Sequence, residues 1–265
     1  MSVLKGGLDM GKICIVPDCH GRQFWKDACL NHKDDFDKIV FLGDYVSPYP
    51  NEGISNERAI EVFKEVLAFK KDNPEKVILL LGNHDLSYFN IHICECRTDH
   101  KNWNLLNELY AENIKLFDLA WETEINGKRY FFSHAGVRKG WLELAVEGRL
   151  FKWDDIDVLP SADMFNNVLH VAYDGDDWNE DVASPLEFCL GRYSDYRGYS
   201  AWADGSIVWA DIREYEGGPE YEDVMFICGH TQLKDKPIIT DWVADLDVRR
   251  PFILDTVTGK IEEYV

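Results

Sequence analysis

The segment Ile13-Cys14-Ile15-Val16-Pro17-Asp18-Cys19-His20-Gly21 is a short apolar run that ends in two polar residues. Short apolar runs rich in β-branched and aromatic residues are typical of buried strands. The same pattern returns four times along the chain, in Phe41-Leu42-Gly43-Asp44, Leu81-Gly82-Asn83-His84, Phe132-Ser133-His134 and Ile227-Cys228-Gly229-His230. In three of these segments a glycine precedes the polar residue, and glycine permits a sharp exit from a strand.

The polar residues that follow the five runs are expected to meet, although they lie far apart in sequence. In open α/β sheets, ligands bind beyond the carboxyl ends of the strands, where side chains from several strands can converge. A single Asp or His after a strand is more often a helix cap or a surface residue. Five such segments favour one shared site instead. Their carboxylate, imidazole and amide groups suit Mn²⁺, Fe²⁺ or Zn²⁺ better than calcium.

The rest of the chain predicts an α/β protein. Predicted strands cover residues 12–16, 38–42, 77–81, 130–133, 207–210, 224–228 and 252–255. Residues 56–71 are a predicted helix because apolar residues recur there every three or four positions. A second helix is predicted at 104–117, and Asn126-Gly127 predicts a hairpin turn. Residues 154–222 are acid-rich and irregular, so we expect long surface loops there.

The 265 residues, of which 46% are hydrophobic, are enough to bury a substantial core. No repeat or composition break marks a domain boundary, so we expect one domain over residues 12–265. Residues 1–11 are expected to be a flexible extension, with Met10 as an alternative start. No apolar run of roughly 18 residues and no signal-peptide pattern occurs, which predicts a cytoplasmic protein without membrane contact. The seven scattered cysteines are expected to be reduced thiols.

The formal net charge is -20, which disfavours nucleic-acid binding because that depends on basic residues that neutralise phosphates. The acidity does not exclude a phosphate-bearing substrate. Divalent cations held in a site can be its largest local charges and can reverse the local field.

At these residues the chain resembles the calcineurin-like metallophosphoesterases, and among them the phosphoprotein (serine/threonine) phosphatases and related bacterial and phage phosphatases. The family blocks D-x-H-G, G-D-x-V-D-R-G, G-N-H-E, a histidine before small residues and a late G-H stand here as Asp18-Cys19-His20-Gly21, Gly43-Asp44-Tyr45-Val46, Gly82-Asn83-His84-Asp85, His134-Ala135-Gly136 and Gly229-His230-Thr231. Their order and spacing agree with the family over residues 18 to 231. The resemblance implies a four-layer α/β/β/α sandwich with two central mixed sheets.

The resemblance also implies a role for each residue. Asp18 and His20 would hold one divalent ion, Asp44 would bridge two ions, and the second ion would be completed by Asn83, His134 and His230. A hydroxide shared by the two ions would attack phosphorus. The catalytic residues would be Asp44, as the bridge, and His84, which would stand free of the ions and protonate the leaving group. We expect Mn²⁺ in the first place, with Fe or Zn as alternatives.

Two departures from the family pattern bear on the substrate. After Val46 the phosphatase block continues Asp-Arg-Gly, where the Asp orients the general acid and the Arg grips phosphate, whereas this chain has Ser47-Pro48-Tyr49. Other arginines are therefore considered as phosphate ligands, although surface ion pairing is the commoner role of an arginine. The arginines in predicted loops are Arg22, Arg97, Arg138, Arg192, Arg197 and Arg213. Of these we select Arg22, Arg138, Arg192 and Arg197 as candidates. The late block has Gln232 in place of the second histidine common in diesterase branches, which favours a monoesterase.

Three functions remain open. The first is hydrolysis of phosphate monoesters, on a phosphoprotein or a small phosphate ester, in the manner of serine/threonine phosphatases. The second is hydrolysis of phosphodiesters or dinucleoside polyphosphates. The third is a metal-binding scaffold with weak or no catalysis, which the missing Asp-Arg pair makes conceivable and the intact ligand set opposes. The oligomeric state is left open.

Overall fold

The computed structural model describes residues 11–89, 96–147, 161–172, 186, 190–191, 193–197 and 204–265. Its strands are β1 (Lys12–Val16), β2 (Lys38–Phe41), β3 (Val77–Leu80), β4 (Phe117–Asp118), β5 (Ala120–Ile125), β6 (Lys128–Ser133), β7 (Val224–Cys228), β8 (Ile238–Ile239), β9 (Val243–Asp245), β10 (Phe252–Asp255) and β11 (Ile261–Glu263). Its α-helices are α1 (Asn56–Asp72), α2 (Asn83–Leu86), α3 (Trp103–Asn113), α4 (Lys139–Glu147) and α5 (Ala162–Ala172).

The strands form two sheets. The first has the order β11-β10-β1-β2-β3-β4 and the second β5-β6-β7-β9-β8. Strands β1 to β4 run parallel, while β10 and β11 pair antiparallel in the same sheet. In the second sheet, β6, β7 and β9 run parallel, and β5 and β8 are antiparallel edges. Both sheets are mixed, as the resemblance implied.

Alternate residues of the central strands face different layers, because successive side chains of a strand point to opposite faces. Ile15 and Val40 of the first sheet share an apolar cluster with Phe132 and Ile227 of the second, so this cluster fills the space between the sheets. The opposite faces pack against helices. Phe41 clusters with apolar residues of α1, and the ring of Phe131 lies 6.1 Å from that of Phe165 on α5. This layering confirms the predicted sandwich.

Several local predictions are confirmed. Strands β1, β7 and β10 have the predicted bounds, and α1 begins directly after Ser55, whose hydroxyl accepts a hydrogen bond from Arg58 N at 3.1 Å. Asn126 and Gly127 join β5 to β6 with positive φ angles of 53° and 80°. Such angles are those of the tight hairpin turns that Asn-Gly favours.

Two local predictions are wrong. Residues 207–210 form a buried turn rather than a strand, because Ser206 O accepts bonds from the N–H groups of Trp209 and Ala210 within the segment. The predicted long loop of 154–222 contains α5, whose buried Phe165 and Leu169 follow helical spacing. Asn166 fixes this helix to the second sheet, since its Oδ1 accepts from Leu119 N and Ala120 N and its Nδ2 donates to Ala120 O.

Residues 1–10 lie outside the described residues, so the flexible extension over 1–11 stays a prediction, as does the single domain over 12–265. Within the part of the chain that the structure describes, no helix has both the length and the apolar character needed to cross a bilayer.

Candidate metal centre and active site

The site lies where the loops leave the carboxyl ends of β1, β2, β3, β6 and β7. Backbone hydrogen bonds fix these loops to each other: His20 N donates to Asp44 O at 2.7 Å, and Gly229 N donates to His134 O at 2.9 Å. Three of the polar residues have left-handed backbone angles, with φ of 45° at His20, 54° at Asp44 and 66° at His230. Such angles are unfavourable for residues other than glycine and often occur at functional sites.

The loops bring all six predicted ligands together. Asn83 Oδ1 lies 2.9 Å from His134 Nε2 and 3.0 Å from His230 Nδ1. Asp44 Oδ2 lies 3.5 Å from His134 Nε2 and 3.5 Å from His20 Nε2. Asp18 completes the group, 3.9 Å from His20 Nε2. Asp44 therefore lies between two sets of side chains, with His20 on one side and His134 on the other.

In His20 and His134, the contact made by Nδ1 shows that Nε2 is the ring nitrogen that faces the centre. His20 Nδ1 lies 2.9 Å from Val46 O, and His134 Nδ1 lies 2.8 Å from Leu42 O. A carbonyl oxygen can only accept, so both Nδ1 atoms carry a proton and both Nε2 atoms present a lone pair to the centre. Metal-binding histidines typically donate their other N–H to a carbonyl in this way.

These contacts fit divalent cations. His134 Nε2 is an acceptor, and it lies 2.9 Å from Asn83 Oδ1 and 3.5 Å from Asp44 Oδ2, which are acceptors too. Acceptor atoms buried this close together are unfavourable unless a positive charge compensates them. Mixed carboxylate, imidazole and amide ligands suit borderline divalent metals. The residues therefore fit a site for divalent cations, with Asp44 between the two sets of side chains.

The electrostatics of the centre agree with this. Burial lowers the pKa of His20 and of His230 well below the usual value, which keeps both imidazoles in the neutral form that binds metals. Burial, followed by the charge of Asp18, raises the pKa of Asp44 well above its usual value. Asp247, which the sequence analysis did not single out, is buried, and burial and then Asp18 raise its pKa too. Positive charge is needed here to keep these carboxylates ionised.

Asp85 holds the loops that carry the centre in place. Its carboxylate accepts hydrogen bonds from Asp44 N at 2.7 Å, Tyr45 N at 3.0 Å, Gly82 N at 2.8 Å and the Tyr110 hydroxyl at 2.5 Å. It is fully buried. One side chain thus ties the loop after β2 to the loop after β3, and a carboxylate at the family's Glu position has a clear structural use.

A cavity of about 350 Å³ opens beside the centre, with Asp44, Asn83, His84 and His230 in its lining. His84 N donates to Asp44 Oδ1 at 2.9 Å, and the His84 ring lies 5.2 Å from that of His20. His84 is also close enough to His20 and Asp44 to form a group that could hold a metal.

Three of the four arginines predicted to bind phosphate fall within the described residues. Arg22 forms a two-point ion pair with Glu52, at 2.7 and 2.8 Å, and Arg138 lies among Asp204, Glu214 and Glu220. Neither lines the cavity, so their contacts do not support a phosphate role.

Arg197 does line the cavity, and it is held by Asp211 at 3.0 Å and by the Thr231 hydroxyl at 3.1 Å. Arg192 lies outside the described residues.

Arg97, a loop arginine that was not among the four predicted to bind phosphate, lines the cavity beside His84. Its Nη2 lies 2.9 Å from His84 Nε2, and its guanidinium carbon lies 3.8 Å from the centre of the Tyr49 ring. Arg97 belongs to none of the five blocks, so only the folded chain shows that it lines the cavity.

The family model for calcineurin-like phosphoesterases matches residues 11–233, which include all six predicted ligands and His84. The chain belongs to the calcineurin-like phosphoesterases. It is therefore a hydrolase of phosphoester bonds, from a family that depends on a dinuclear metal centre, and it contains candidate metal-binding groups at the expected place.

No curated protein matches the sequence. Three solved structures resemble the fold at low identity. An archaeal phosphodiesterase matches at 15% identity and a TM-score of 0.36, over 96% of this chain and 99% of its own. A hypothetical protein of Pyrococcus horikoshii OT3 matches at 13% and 0.46, over 96% and 87%. A Thermotoga maritima protein solved by NMR matches at 10% and 0.37, over 96% and 97%. These values carry no information about the substrate.

The position of Asp44 leads to a prediction about metal content. We expect about two Mn²⁺ per chain in the wild type, as in other two-metal hydrolases. Asp44→Asn should lose more metal than Asp18→Asn, because only Asp44 lies between the two sets of ligands. Elemental analysis of the purified variants measures this, with the exposed Asp34→Asn as control. Equal losses in the two site variants would contradict the bridging role of Asp44.

Proposed function

We propose that this phosphoesterase hydrolyses phosphate monoesters, on a phosphoprotein or on a small ester, in the manner of serine/threonine phosphatases. The observation that carries the proposal is the composition of the cavity. Three of the predicted ligands, Asp44, Asn83 and His230, line the same space as His84 and the guanidinium groups of Arg97 and Arg197. A nucleophile, a proton donor and positive charge for the phosphoryl group can therefore act on one substrate.

The charge of the cavity favours a monoester over a diester. A phosphate monoester carries up to two negative charges at neutral pH, since its second pKa is about 6. A diester carries one. The guanidinium groups of Arg97 and Arg197 add positive charge to whatever cations the centre holds. Gln232 in place of a second histidine in the late block supports the same choice.

Within the proposal, Asp18, His20 and Asp44 would hold one divalent ion and Asp44, Asn83, His134 and His230 would hold the other. The ions would supply an activated water at neutral pH and positive charge for the phosphoryl oxygens. The chain's own residues supply the rest. His84 Nε2 accepts a hydrogen bond from Arg97 in the structure, so His84 would first take up a proton and then give it to the leaving oxygen. Arg197, fixed by Asp211, orients the substrate.

We further propose Mn²⁺ as the metal, because a carboxylate contributes to both ligand sets and the Asn83 amide oxygen to one of them, alongside imidazole. Fe and Zn are the alternatives. A cytoplasmic location is also part of the proposal. It is supported by the cysteines among the described residues, namely Cys14, Cys19, Cys29, Cys96 and Cys228, which form no disulfide.

Activity on a matched pair of substrates tests the proposed specificity. The Mn²⁺-loaded protein should hydrolyse nitrophenyl phosphate with a kcat/KM at least about tenfold above that for bis-nitrophenyl phosphate, since the second charge is recognised. Chelator should abolish both activities. A preference for the diester would replace the proposal with a phosphodiesterase. If the metal-loaded protein hydrolyses neither ester, the protein would instead be a metal-binding scaffold with weak or no catalysis.

The role of His84 gives a separate prediction. His84→Asn should keep the metal content and lower kcat by about 10² to 10⁴, the usual contribution of a general acid. We expect the lower end of this range, because Ser47 replaces the orienting Asp and its hydroxyl is engaged with the Tyr88 hydroxyl at 3.2 Å. The defect should be smaller on nitrophenyl phosphate than on an alkyl phosphate, since nitrophenolate leaves without a proton.

Exposed His32→Asn is the matched control. Loss of metal from His84→Asn, or an equal defect on both leaving groups, would reassign His84 as a metal ligand or a structural residue.

A further inference from the structure

Arg97 differs from the other arginines that the structure describes. Each of the others has a carboxylate within 4.0 Å. Arg97 forms no such ion pair among the described residues. Its contacts are with neutral groups: the Ser47 carbonyl, the Tyr49 ring and the ring nitrogens of His84 and His20. Its positive charge is thus left for something that enters the cavity.

The position of the guanidinium is well defined by the described contacts. Arg97 Nε donates to Ser47 O at 3.3 Å, and the guanidinium lies 3.8 Å from the centre of the Tyr49 ring. Stacking on an aromatic face holds a guanidinium in place and leaves its edge free to bind. That edge points at the catalytic end of the cavity, since Nη2 lies 2.9 Å from His84 Nε2 and 3.3 Å from His20 Nε2.

Arg97 contacts the loop in which this chain departs from the family pattern, Ser47-Pro48-Tyr49. Ser47, Pro48 and Tyr49 replace the family residues Asp-Arg-Gly, so no guanidinium comes from that loop. Arg97 reaches the same loop from a different part of the chain, the segment before α3, and lies against Ser47 and Tyr49. Its backbone φ of 55° is left-handed, an unfavourable angle that the fold nevertheless maintains.

We propose that Arg97 binds the phosphoryl oxygens of the substrate and sets the preference of this chain for a dianionic phosphate. A planar guanidinium can donate two parallel hydrogen bonds to one phosphoryl group. Arg97 and Arg197 then have different tasks. Arg197 is fixed by an ion pair with Asp211, a carboxylate that Arg213 also contacts, whereas Arg97 lies beside His84 with no ion pair among the described residues. The proposal deepens the proposed monoesterase function and rests on the same cavity.

Binding of inorganic phosphate to the Mn²⁺-loaded protein tests the role of Arg97 without relying on turnover. By calorimetry, Arg97→Ala should weaken phosphate binding by about ten- to hundredfold, the size expected for hydrogen bonds to a charged group. Arg97→Lys should recover part of the loss, because it restores the charge and not the two-point geometry. Metal content and melting temperature should match the wild type. Arg58→Ala, in which an exposed arginine paired with Glu61 is removed, is the control.

Kinetics on the two esters distinguish binding from positioning. Arg97→Ala should raise KM for nitrophenyl phosphate by a similar factor and change KM for bis-nitrophenyl phosphate by less, since the diester lacks the second charge. Phosphate binding within twofold of the wild type would overturn the proposal, whatever happens to kcat. A fall in kcat alone would instead make Arg97 a residue that positions His84. If the wild type hydrolyses only the diester, the monoesterase proposal fails, while phosphate binding still decides the role of Arg97.

Discussion

The rest of the structure depends on the crowding of acceptor atoms around Asp44. His134 Nε2 lies 2.9 Å from the Asn83 amide oxygen and 3.5 Å from the Asp44 carboxylate, and His20 Nε2 lies 3.5 Å from the same carboxylate. Burial makes this crowding of acceptors costly unless positive charge compensates it. Binding of divalent metal should therefore stabilise the folded chain by mass action.

The surrounding structure keeps these atoms in place. Parallel strands in each of two sheets end at one edge, and the loops that follow them are joined by backbone bonds and by Asp85. Glycines permit the close approach. A Cβ at Gly82 would overlap Asp44, and one at Gly229 would overlap Asp18. Gly82 and Gly229 are therefore required because a larger residue would collide with the ligand side chains, and not only because glycine allows more backbone angles.

The sequence predicted an α/β protein and the residues that gather at the site, because apolar strand runs and the polar residues at their ends are local signals. The two-sheet architecture was implied by the family resemblance and not by these patterns. The sequence could not predict the position of Arg97, which depends on how the segment before α3 folds over Tyr49. The segment 207–210 reads as a strand because it is apolar, yet it is a buried turn that satisfies its own backbone. A buried strand and a buried turn can have the same apolar composition, so composition does not distinguish them. Helix α5 was overlooked because acidic stretches nearby obscured the spacing of Phe165 and Leu169.

The most direct measurement of the central claim is anomalous diffraction from crystals of the Mn²⁺-loaded protein, recorded on both sides of the manganese absorption edge. We predict two peaks on either side of the Asp44 carboxylate, roughly 3.5 to 4 Å apart as in other two-metal sites. One peak should be ligated by Asp18 and His20, and the other by Asn83, His134 and His230, with His84 bound to neither. A single peak, or two peaks of which one lacks Asp44 as a ligand, would contradict the account.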